Sequence, residues 1–79
     1  KKKNIVTAQL GYIDSLRGVE FEWADTGEQA SGVIAQEVQK VIPHLVHEGE
    51  DGLSVSYMGL IAYLIEEIKD LRRMIEENK

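Results

Sequence analysis

The chain contains no cysteine, so no disulfide can staple it. With only two histidines, His44 and His47, it has no zinc-type ligand cluster either. No apolar run approaches the ~18–20 residues of a membrane span, and no signal-peptide pattern is present. A membrane partner is therefore not expected. A basic face is also missing: Lys1, Lys2, Lys3 and Arg17 against Asp14 give the first 17 residues a net +3, within a chain whose total is −5. The remaining body is acidic, which excludes a platform that displaces counterions from phosphate, and with it a nucleic-acid partner. Seventy-nine residues make at most one domain, 1–79. A chain so short, without disulfide or metal, usually needs idealised helix packing or self-association to be stable. Its hydrophobic fraction of 43% is that of a globular domain. It begins at Lys1 without a methionine, as a piece of something longer would.

What is present has order. Residues 5–16 carry apolar side chains at roughly helical spacing and predict a short helix over about 7–16, weakened by Gly11 and closed by Gly18 in the left-handed region. Val19, Phe21 and Trp23 alternate with Glu20 and Glu22, the period of a half-buried strand. Phe21 and Trp23 are expected in the core. Asp25, Thr26 and Gly27 supply a turn, and Gln29–Val33 the return strand. Ile34, Val38, Val41 and Leu45 then mark one face of a middle helix that starts near Ala35, Gln36 and Glu37, and Pro43 limits it. A second hairpin follows over 45–57, with an exposed polar tip at 48–52. Glu48, Glu50 and Asp51 there lack the ligand spacing of a calcium loop, and His44 and His47 have no third metal ligand nearby. Neither metal nor cofactor is expected.

The last segment, 57–78, is a long helix with Ser56 as N-cap. Ile61, Ile68 and Ile75 share one heptad position, and Tyr57, Leu64, Leu71 and Asn78 the complementary one. Leu60, Ile65 and Met74 widen the stripe. Isoleucine and leucine in these positions suit a parallel dimer, whereas the wider face suits a trimer, and the pattern alone leaves both open. Glu67 precedes Arg72 by five residues, the spacing of an interchain pair between parallel helices. The fold class is α+β: a short helix, two small β-hairpins, a middle helix and a long C-terminal helix able to form a parallel trimeric, coiled-coil-like bundle.

Three blocks in this order carry a resemblance: Leu16 to Trp23; Gly32-Val33-Ile34-Ala35-Gln36-Glu37-Val38 through Pro43-His44-Leu45-Val46; and Leu53 to Tyr57 leading into Leu60–Leu71. They resemble the self-processing chaperone domain that ends phage endosialidases, tail fibres, tailspikes and neck appendages. The same module occurs in a eukaryotic membrane-bound transcription factor. The resemblance implies an intertwined homotrimer that directs folding and trimerisation of the upstream fibre or spike domain of its own chain. It places that work in the cytoplasm of the bacterial host during phage assembly.

The resemblance also implies release by autoproteolysis, through a motif Ser-Asp-x-Arg-x-Lys shortly before an Ile, with Ser as nucleophile and Lys as its base. The family lysine maps onto Lys2, with Lys3 as the alternative. Residues 1–6 would then be the remnant of the cleavage segment, with the serine upstream of Lys1 and no cutting by the chain as it stands. Phe21, Trp23, Gly32, Ala35, Gln36, Glu37 and Pro43 would be structural motif residues. Ser56 departs from the aspartate common before the tyrosine. A generic coiled-coil module without processing activity would account for the last 23 residues but not for the Gly32–Val38 block.

Overall fold

The structure, a computed structural model, describes residues 1–78, so the final residue of the expected 1–79 domain lies outside it. A 3₁₀ turn over Tyr12–Ser15 leads into the hairpin β1 (Val19–Glu22) and β2 (Gln29–Gly32). Then come helix α1 (Ala35–Val41), a 3₁₀ turn at Pro43–Leu45, the hairpin β3 (Val46–Gly49) and β4 (Gly52–Val55), and helix α2 (Tyr57–Glu77). Both sheets are antiparallel pairs. The mixed α+β class, the two hairpins and the long last helix agree with the sequence expectation.

The first element is smaller than expected. In place of a helix over 7–16 there is a single 3₁₀ turn of four residues. Its N-cap is Gly11, at φ 99° in the left-handed region that glycine enters without strain, so Gly11 starts the turn rather than weakening a helix. Gly18, expected as the left-handed cap, is not among the glycines with positive φ. Ile5 and Val6 remain about 80% and 85% exposed, so the apolar spacing there has no core to face.

In the first hairpin Val19 pairs with Gly32 and Phe21 with Ala30, which sets the four on one face. Gly32 is required: a β-carbon there would run into the Tyr57 hydroxyl, which accepts the Val33 N–H at 3.4 Å. This bond fixes the hairpin against the start of α2. Trp23 corrects the expectation of a core residue. It is 53% exposed, edge-on to Phe21 at a ring separation of 4.9 Å. The hairpin packs mainly on itself, and Trp23 at its far end is left half in water.

The core is Val38, Ile42, Leu45 and Leu60, with Tyr12, Ile13, Leu16, Val41 and Tyr63 among those packed around it. Ile42 follows Val38 by four residues and precedes Leu45 by three, which places it on the face that both share, and it is buried with them to 1% exposure. Pro43 disfavours helical geometry just before it, and Ile42 leaves the helix at φ −134° and ψ 68° while its N–H still bonds the Val38 carbonyl. Arg17 and Glu37 pair at 3.0 Å, so Glu37 has an intrachain partner on the first turn of α1.

The second hairpin is tighter than read from sequence: Gly49 pairs with Gly52, leaving only Glu50 and Asp51 as the turn. Gly52, at φ 112°, supplies the positive-φ position that follows them.

Ile42→Ala is expected to lower unfolding stability by about 2–5 kcal/mol, the usual cost of truncating a buried isoleucine. Denaturant titration at fixed protein concentration checks it, since self-association would otherwise shift the midpoint.

Candidate functional site

Helix α2 begins where expected. Ser56 Oγ accepts the Gly59 N–H at 3.2 Å, satisfying one of the free amides of the first turn. The Ser56 N–H is held by the Leu45 carbonyl at 2.7 Å, which ties the start of the helix to the core. Gly59 lies against Leu45 so closely that a β-carbon would meet its side chain. Leu60 is buried one residue on.

From this start the two sides of α2 diverge. Gly59, Leu60 and Tyr63 face the chain's own domain. Tyr63 packs edge-on to Tyr12 with ring centroids 5.9 Å apart, and its hydroxyl lies 3.4 Å from His44 Nε2. One turn later Glu67 Oε2 accepts the Gly11 N–H at 2.8 Å. Residues 6–10 run along the adjoining flank, beside Ala62, Glu66, Lys69 and Arg73. Charged side chains there hold each other: Lys69 with Glu66, and Arg73 with both Asp70 and Glu77. The Asp70 hydrogen bond, reinforced by Glu77, raises the Arg73 pKa further above its ordinary value.

The other side is apolar and bare. Ile61, Leu64, Ile65, Ile68, Leu71 and Ile75 are 44, 39, 50, 59, 58 and 56% exposed; Met74, 48% exposed, follows Glu67 by seven residues and so lies on the flank of Leu60 and Glu67. Six large aliphatic side chains at i, i+3, i+4 and i+7 form a contiguous strip along a helix of 21 residues. Scattered surface leucines are ordinary, but a continuous strip on this scale marks an interaction site. It is lined by Arg72 and Glu76 at its C-terminal half. No helix among the described residues is long and apolar enough to cross a membrane.

The residues singled out from the sequence thus separate into groups. Ile61, Leu64, Ile68, Leu71 and Ile75 lie together on the bare face, and Arg72 is exposed at its edge. Tyr57, 48% exposed, also serves its own chain through Val33 and Gly32. Glu67 lies between the two faces and is engaged by Gly11. Lys2 stands apart from all of these, exposed in the N-terminal segment. Ala35, Gln36, Glu37 and Pro43 shape α1 and its end. The Gly11–Glu67 bond, spanning 56 positions, escaped sequence reasoning because no local pattern signals a carboxylate that caps a distant amide.

The family described as the chaperone of endosialidase matches residues 1–47. The chain is 33% identical, over 86% of its length, to the long tail fiber protein Gp37 of Enterobacteria phage K3 and to the protein of the same name from Enterobacteria phage T2. It spans only 6% of the length of each of these relatives. No solved structure matches it.

Proposed function

Since the chain belongs to the chaperone-of-endosialidase family, we propose that it is an intramolecular chaperone that trimerises through α2 and directs folding and assembly of a tail fibre or spike lying upstream in the same polypeptide. The observation that carries this is the division of α2 into a face used by its own domain and a bare aliphatic face in heptad register. A monomer would leave that strip in water. Three parallel copies bury it, and Ile65 beside the seam widens the apolar face beyond that of a simple two-stranded coil.

The work performed is entropic. A trimeric nucleus holds three upstream segments at high effective concentration and in register. Slow, non-local β pairing then starts from aligned chains instead of from a search in solution. Assembly takes place in the host cytoplasm, and autoproteolysis at the N-terminal segment afterwards frees the fibre from its template. Lys2 is the general base of that cut, acting on a serine five residues before it in the precursor.

Expression of the fibre precursor with and without residues 1–79 tests the chaperone reading. Soluble trimers are expected only with the domain, and insoluble or monomeric chains without it, as measured by sedimentation of the soluble fraction. Normal soluble trimers from the truncated gene would overturn it.

A further inference from the structure

Glu67 occupies an unusual place on α2. It follows Leu60 by seven residues and Tyr63 by four, which puts it on the side that packs against the chain's own domain. It also follows Leu64 by three and precedes Leu71 by four, so it borders the bare strip. Its carboxylate has two oxygens, and the Gly11 N–H takes Oε2 at 2.8 Å. Oε1 is left to accept a second donor.

Arg72 is the complement on the opposite edge. It follows Ile65 by seven residues and Ile68 by four, and it lines the shallow groove with Ile68, Leu71, Ile75 and Glu76. Arg17, Lys69 and Arg73 all pair with carboxylates of their own chain; Arg72 makes no such pair among the described residues. The strip therefore has an acidic side chain on one edge and an unpaired cation on the other, five residues further along. Two such strips set side by side in parallel bring the Glu67 edge of one copy to the Arg72 edge of the next. Antiparallel strips would instead bring like edges together. Repeated head to tail, the parallel contact closes into a ring in which each copy offers one edge to each neighbour.

We propose that Glu67 is shared between two chains: one oxygen holds the Gly11 amide of its own chain, and the other takes Arg72 of a second copy. Parallel association of α2 then fastens the segment that ends at Gly11. The start of that segment is otherwise in water, Ile5 and Val6 being almost fully exposed. Glu67 is a positioning residue, and the second copy is the partner that completes its role. The inference rests on the trimer reading and adds to it a physical link between assembly and the N-terminal segment.

The test combines sedimentation equilibrium with amide hydrogen exchange at Gly11, at concentrations where the protein is fully associated. Glu67→Ala removes both contacts and is expected to speed Gly11 exchange about tenfold, the effect of losing a hydrogen bond to a charged acceptor. Arg72→Ala touches nothing near Gly11 in its own chain. It is nevertheless expected to speed Gly11 exchange about two- to fivefold in the assembled protein, the range of an exposed ion pair. Arg72→Lys should restore most of the protection. Wild-type exchange in an associated Arg72→Ala protein would overturn the sharing while leaving the trimer intact. A wild-type chain that sediments as a monomer, or associates antiparallel, would overturn the trimer reading and the sharing together.

Discussion

Replacing both Leu64 and Leu71 by alanine is expected to abolish self-association at micromolar concentration while leaving the four-residue core in place. The two leucines are 39% and 58% exposed in the single chain, so their truncation removes little that the chain itself buries. In an assembly each becomes a buried contact, and truncating a buried leucine costs about 2–5 kcal/mol. A ring of three chains carries the double change three times, at six sites. Sedimentation equilibrium should give the monomer mass. Circular dichroism should lose part of its helical signal, because a helix in water depends mainly on packing of its apolar face, and Leu71 and Ile75 remain more than half exposed in the single chain.

Leu60→Ala is the control. Leu60 is 7% exposed and belongs to the internal core. That change should lower unfolding stability of the fold itself, with thermal melting and dissociation occurring together. A Leu64→Ala, Leu71→Ala protein that remains an associated species of unchanged mass would remove α2 from the assembly and leave the bare strip without a role.

The contrast between these leucines was only half legible in the sequence. Heptad spacing identified the strip through Ile61, Leu64, Ile68, Leu71 and Ile75, because a 3.5-residue period survives whatever the helix packs against. The sequence placed Leu60 among the residues widening that strip. In the fold it turns the other way, into the domain, with Tyr63 and Gly59 beside it. Which apolar residues of a helix face inward depends on contacts with Val38, Ile42 and Leu45, more than ten positions away, and local period carries no such information. Ile42 shows a different miss: it follows Val38 by four and precedes Leu45 by three, so period alone puts it on the buried face, yet the face read from the sequence runs through Val41, which is only half-buried. Alternation in Val19, Phe21 and Trp23 gave the strand and its faces correctly. It could not tell that Trp23, just past the end of the strand, is left half in water.

The N-terminal segment was the least legible. Its apolar residues have helical spacing, yet residues 6–10 run along the flank of α2, and at Gly11 a left-handed glycine and the Glu67 carboxylate fix the path. Periodicity reports what a segment does once it has a surface to pack on. Ile5 and Val6 have none in the single chain.

In a precursor carrying a serine five residues before Lys2, Lys2→Ala is expected to yield full-length, uncut chains that are still trimeric. A serine hydroxyl is a poor nucleophile unless a neighbouring base takes its proton. A lysine in water is a cation at neutral pH and cannot act so; desolvation or nearby positive charge is needed to favour its neutral form. Packing of three N-terminal segments around the cleavage site would supply that desolvation. Cutting is then expected only in assembled chains. Loss of the base should slow cleavage by about 100-fold or more, the usual contribution of a positioned proton acceptor. Gel analysis of a time course, with sedimentation in parallel, reads both properties at once. Trimerisation should be unaffected, since Lys2 lies in the N-terminal segment and the aliphatic strip lies on α2. Rapid cutting by the Lys2→Ala chain would transfer the role to Lys3, which Lys3→Ala then tests directly. Cutting by the Leu64→Ala, Leu71→Ala precursor as a monomer would break the link between assembly and cleavage, because the base would then be functional without its neighbours.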